Sequence, residues 1–131
     1  MASLYKRQLE HVNVSMSNEE SIQIKTVDDY CRTAGITHIN FMKVDVEGNE
    51  LNVLKGATKM LEEGRISAIQ FEFGGTDIDS RVFFKDFWYL LSKRYRIFRI
   101  LPDGLNEIKE YSQKWEIFQC MNYLAIKRRN R

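Results

Sequence analysis

Lys43, Asp45, Glu47, Gly48 and Glu50 fall within eight residues, "KVDVEGNE", and Glu72 sits in "FEFGG" further on. Carboxylates gathered at one rim can bind a cation, take a proton or hold an ammonium group. In an extended segment Lys43 and Asp45 share one face, with Val44 and Val46 on the other. Two blander readings stand beside the chemical one. Acids ahead of a helix are favoured by its N-terminal dipole at ~0.3–1 kcal/mol each. A lysine buried in an apolar strand needs a partner, and Asp45 or Glu72 would make a structural ion pair with Lys43. His38 is excluded as a base at this rim, because seven extended residues put it ~23 Å from Asp45. His11 reads as a surface residue. Phe83, Phe84, Phe87, Trp88 and Tyr89 read as helix packing, and the closing "KRRNR" as a solvated tail.

The elements that would position these residues follow from periodicity. Residues 2–12 suit a short helix and 13–20 a loop. "SIQIKTV" (21–27) alternates as a strand does. In "TVDDYCRTAG" Thr26 and Asp29 have capping-box spacing and Gly35 ends a helix. "INFMKVDV" (39–46) is apolar enough for a strand covered on both faces. From Glu50 the pattern is helical, with Leu51, Leu54 and Leu61 on one stripe up to Gly64. Gly56, in mid-helix, implies a close backbone approach. "ISAIQFEFGG" (66–75) is a second buried strand. "SRVFFKDFWYLLSKR" (80–94) is a helix burying Phe83, Phe87, Leu90 and Leu91. "YRIFRIL" (95–101) and "MNYLAIK" (121–127) are strands separated by an irregular stretch, with a turn at "LPDG". Strands alternating with helices predict a parallel α/β sheet, whose ligands bind beyond the carboxyl ends of the strands. Asp45, Glu47 and Glu72 lie there, and Gly48 allows a turn or a close ligand.

"HINFMKVDVEGNELNVLKGATKMLEEGRISAIQFEFG" closely resembles the signature of FkbM-type methyltransferases, in which a strand ending K-x-D-x-E-G-x-E opens a helix bearing L-x-G-A. The preceding "TVDDYCRTAGI" and the late "NYLAIK" are similar to the family's lead-in and closing strand, so the likeness runs from about residue 22 to 127. It implies a Rossmann-like class I sheet, here the C-terminal strands and helices only, and S-adenosylmethionine as cofactor. It also implies O-methylation of a hydroxyl on a sugar or small natural product. On that likeness Asp45 and Glu72 are the catalytic carboxylates, and Asp45, Glu47 and Gly48 face the cofactor. Lys43 and Glu50 support the turn, and no metal is required. The family's glycine-rich turn and ribose acid have no counterpart, since the first glycine is Gly35 and no G-x-G occurs. The alternative is therefore a non-catalytic α/β binding module or a truncated remnant, and weak cofactor binding is expected.

The whole chain sets the outer bounds. Its 131 residues suit a single domain: 1–20 irregular or a short helix, 21–127 the α/β core and 128–131 a basic tail. Twenty basic against eighteen acidic side chains leave +2, too balanced to point to nucleic acid. No apolar run reaches the ~18 residues of a membrane span, and no signal peptide opens the chain. Cys31 and Cys120 read as reduced, buried packing residues, which with the rest suggests a cytoplasmic protein. The strand at 39–46 would lack its usual neighbour. Self-association through that bare edge is expected.

Overall fold

The computed structural model describes residues 3–5 and 20–129. Extended coil at 20–26 leads to α1 (Val27–Ala34), whose N-cap Thr26 accepts from the Asp29 amide and whose C-cap is Gly35, as the sequence predicts. There follow β1 (Ile39–Val44), α2 (Glu50–Lys55), α3 (Thr58–Glu62) and β2 (Ile66–Phe73). Next come α4 (Gly75–Ser80), α5 (Phe84–Leu91), β3 (Tyr95–Leu101), β4 (Gly104–Ile108), a 3₁₀ turn at Gln113–Trp115, and β5 (Met121–Lys127).

The five strands form one sheet in the order β1-β2-β5-β3-β4. Strands β1 and β2 are parallel neighbours, with Lys43 opposite Gln70 and Val44 opposite Phe71. The expected parallel arrangement is mixed instead. β5 returns antiparallel between β2 and β3, and β3 pairs with β4 through the Pro102–Asp103 turn. This topology decides the site, because it brings the start of β5 back to the carboxyl end of β2.

One sheet face carries the core. Val44, Ile69, Phe71, Phe73, Ile97, Tyr123 and Ala125 pack against Leu51, Leu54, Met60, Phe84, Phe87 and Leu91. Phe71 stacks between Phe87 at 4.9 Å and Tyr123 at 5.5 Å. The other face is only partly covered. There Phe41 is 54% exposed, and the Arg96 guanidinium, held by Glu107 at 2.8 Å, shields the Phe98 ring. β1 is thus covered on one face, not two, and Lys43 is exposed where a buried lysine was expected.

Several element boundaries differ from the sequence reading. Residues 21–27 do not form a strand: 21–26 are extended coil with Ile22 and Ile24 open to solvent, and Val27 begins α1. Alternation suits a strand only where a ladder partner is offered. The single helix expected from Glu50 breaks at Gly56. Asp28 causes the restart: its carboxylate accepts from the Lys59 and Met60 amides at 2.9 and 3.0 Å, while its own amide donates to the Gly56 carbonyl at 2.9 Å. A Cβ at Gly56 would lie 3.4 Å from Thr26 Cβ, which is the expected close approach.

The helix expected over 80–94 is shorter, α5 alone, and α4, which the sequence reading did not include, precedes it. Arg81 in a left-handed conformation separates the two, and Asp86 accepts from the Phe83 amide at the start of α5. Phe84, Phe87 and Leu91 are its buried face, whereas Phe83 and Tyr89 are exposed. Cys31 is buried as expected; Cys120 is exposed, and both are free thiols. Residues 3–5 are not helical, and the rest of the helix expected over 2–12, with His11, lies outside the described residues.

Candidate functional site

Beyond Val44 the chain leaves the sheet and turns back into α2 through two left-handed residues, Glu47 (φ 53°) and Gly48 (φ 99°). Glu50 builds this turn. Its carboxylate accepts from the Val46 amide at 2.8 Å and the Gly48 amide at 2.9 Å, and the residue is 1% exposed. Burial raises its pKa from the usual carboxylate range, and those two N–H donors oppose the rise. Glu50 is therefore a buried clamp rather than a surface charge on the helix dipole. Ser3 Oγ donates to the Glu47 carbonyl at 2.8 Å, and the Asn49 and Asn52 side chains reach the Tyr5 hydroxyl.

A second turn, after β2, locks against the first. A Cβ on Gly48 would lie 2.9 Å from the Thr76 carbonyl oxygen, and one on Gly74 would lie 2.8 Å from Cys120 Cα. The turn after β1, the start of α4 and the start of β5 thus meet with no room for side chains at these two glycines. Asp77 anchors the second turn: Oδ2 accepts from the Gly74 amide at 2.8 Å, while Oδ1 is buried without a hydrogen bond. Burial, followed by the charges of Glu50 and Glu72, pushes its pKa from 3.8 to about 7.

Above this buried floor lie the exposed candidates. Lys43 Nζ pairs with Asp45 Oδ2 at 2.8 Å; the two side chains are 57% and 46% exposed, and this contact with Asp45 raises the lysine pKa. The predicted shared face of Lys43 and Asp45 is thus observed, on the surface. The Cys120 thiol hydrogen-bonds to Glu72, which with partial burial and the further charges of Asp45 and Glu47 pushes its pKa up to about 11. Val44 lies opposite Phe71 in the parallel β1–β2 pair, so the next residues, Asp45 and Glu72, stand side by side at the carboxyl rim, and Glu47 follows in the turn.

Sequence reasoning missed Asp77, Thr76 and Cys120. An acid three residues beyond the glycine that ends a strand was a readable capping signal for Asp77. Cys120 gave no signal, because its place depends on β5 running antiparallel beside β2.

The rim offers anionic oxygens to a positively charged group and a carboxylate to a mobile proton. It is an open surface. Two concavities, about 260 Å³ between α1 and α3 and about 630 Å³ at the opposite rim, are not lined by Asp45, Glu47 or Glu72. Among the described residues, no three histidine, cysteine or acidic side chains are arranged to hold a metal ion. No helix there is long and apolar enough to cross a membrane.

With this geometry in place, the match to a known protein family falls on the same elements. The profile of the methyltransferase FkbM domain matches residues 6–98, which contain the whole charged turn and Glu72. The hexuronic acid methyltransferase AglP of Haloferax volcanii is 38% identical over 61 residues, 45% of this chain and 26% of that protein. The matched stretch spans about a quarter of that relative's length. No solved structure matches the chain significantly.

Proposed function

Because the chain belongs to the methyltransferase FkbM domain family, we propose that it forms the acceptor-side part of a Rossmann-like, S-adenosylmethionine-dependent O-methyltransferase. The observation that carries this reading is the parallel β1–β2 register, which sets Asp45 beside Glu72 at the carboxyl rim with Glu47 in the turn that follows. S-adenosylmethionine, when bound, supplies an electrophilic methyl group on a positively charged sulfur. The acidic rim suits that charge, and Glu47 and Gly48 are the residues of the turn that would face it. In this reading Asp45 takes the hydroxyl proton of an acceptor as its oxygen becomes methylated. Glu72 is the second carboxylate for that proton. Lys43 orients Asp45, while Glu50 holds the turn. The acceptor is a hydroxyl on a sugar or small natural product, in keeping with a relative named for methylating hexuronic acid.

A second reading, a non-catalytic α/β module, is favoured by the lack of any G-x-G sequence. Titrating the purified chain with S-adenosylmethionine while following backbone amide resonances separates the two. Binding on the order of millimolar is expected, because most contacts that fix a nucleotide cofactor need a glycine-rich helix start. Resonances of residues 45–50 and 72–77 should move. Sub-micromolar affinity would overturn the partial-domain reading, and movement confined to other residues would overturn the assignment of the rim.

We also propose that the free edge of β1 pairs with a second copy of the chain. β1 ends the sheet, and no described strand lies beyond it. An unblunted edge offers unpaired N–H and C=O groups to another strand. Asn40 is exposed, whereas Met42 packs on the core, so Asn40→Lys is the cleaner probe. Light scattering at micromolar concentration should show a dimer or larger species that Asn40→Lys dissociates; a strictly monomeric wild type would contradict the pairing.

A further inference from the structure

At the rim opposite the charged turns, a groove of about 630 Å³ is lined by Glu63, Gly64, Lys93, Arg94, Lys127, Arg128 and Arg129. Five cations face it. The only acid in its lining, Glu63, is held by Arg65 at 2.8 Å. Two of these cations follow α5, where a helix C-terminus by itself favours positive charge. That cause does not reach Lys127, Arg128 and Arg129, which come from the end of β5.

The fold instead assembles the two groups. The Arg128 amide donates to the Arg94 carbonyl at 2.8 Å, extending the β3–β5 ladder and setting Arg94 and Arg128 side by side. Lys127 Nζ donates to the Gly64 carbonyl at 2.8 Å, which fixes its ammonium at the groove. Arg128 Nε leans on the Ser92 carbonyl at 3.4 Å. Five like charges brought together in a chain of net charge +2 repel one another unless an anion joins them.

We propose that this groove is a binding site for a compact anion carrying two or more phosphate groups. Its volume falls within the range of small-ligand sites, about 300–1,000 Å³. Its lining contains no aromatic side chain on which a base could stack and no aliphatic one to take an acyl chain, so it recognises the phosphates themselves. Arginine forks and lysine point charges both suit phosphate oxygens. The site is independent of the acidic rim, which lies about 23 Å away along β2. The phosphates can belong to a free oligophosphate or to a phosphorylated headgroup at a membrane surface.

Calorimetric titration of the chain with inorganic tripolyphosphate at physiological ionic strength tests the site, with orthophosphate as the comparison. One-to-one binding at least tenfold tighter than orthophosphate is expected. The double variant Lys93→Gln, Arg129→Gln should weaken it at least tenfold with an unchanged melting temperature, since both side chains are exposed and make no hydrogen bond among the described residues. Co-sedimentation with phosphatidylcholine vesicles containing a bisphosphorylated inositol lipid identifies the source. Retention that the double variant loses assigns a headgroup, and tripolyphosphate binding without retention assigns a free anion. Absence of saturable tripolyphosphate binding, or binding indifferent to the double variant, would overturn the proposal. So would tighter binding of a single-stranded RNA through the same cations, which would make the groove a nucleic-acid contact.

Discussion

If Asp45 is the proton acceptor proposed above, Asp45→Asn should lower methyl transfer by about a hundredfold or more, measured in a chain that also carries a glycine-rich cofactor half, while the melting temperature hardly moves. The size follows from the role: removing a positioned proton acceptor typically forfeits 10²–10⁴ in rate. The stability half follows from exposure. The Lys43–Asp45 pair is open to water on both sides, where ion pairs add little to folding. Had Lys43 been buried, as the apolar run around it suggested, the same change would have left an uncompensated charge inside the protein and unfolded much of it. Activity assays beside thermal melts distinguish the outcomes. A variant that turns over normally removes Asp45 from the chemistry, and one that melts early makes it structural.

Gly48→Ala should destabilise the chain by roughly 2–5 kcal/mol. Two separate penalties meet at this residue. Its φ of 99° is disfavoured for any residue with a Cβ, at about 1–2 kcal/mol. The new methyl would also stand 2.9 Å from the Thr76 carbonyl oxygen, backbone that cannot swing aside, and overpacking of that kind costs about 1–3 kcal/mol. For a chain of this size the melting temperature should fall by roughly 10 °C. Urea unfolding gives the free energy directly. A loss below about 1 kcal/mol would mean that the turns after β1 and β2 are not locked together as described. Gly35→Ala is an informative companion, because a Cβ there has a positive φ but meets nothing within 4 Å, so it isolates the backbone penalty.

Local signals in the sequence located much of this molecule, and what they missed depends on distant contacts. The bounds of β3 and β5 follow from apolar runs that end at turn residues, and the Thr26 and Gly35 caps of α1 are written within ten residues. The alternating "SIQIKTV" stretch misled because alternation fits a strand only when another strand lies beside it. β4 escaped notice: of its five residues only Ile108 is buried, so "GLNEI" carries almost no hydrophobic period. At the rim, Asp45, Glu47, Glu72 and Gly48 were legible as a charged turn after a strand. The burial of Glu50 and Asp77 was not, because it arises where two turns 28 residues apart, at Gly48 and Thr76, press together. The exposure of Lys43 was hidden for a related reason: an apolar strand reads as covered on both faces even when helices cover only one.

The Asp28 carboxylate, capping α3 from 31 residues away, bears on the order in which the chain acquires structure. A five-residue helix cannot nucleate alone, since its first turn fixes several residues for a single hydrogen bond. α3 therefore waits for α1 to dock, and closing the intervening loop costs roughly 3 kcal/mol before the cap forms. The same dependence holds in reverse once the protein is folded. When α1 lifts away, α3 loses the acceptor for its first amides, so both helices open to solvent in one cooperative step.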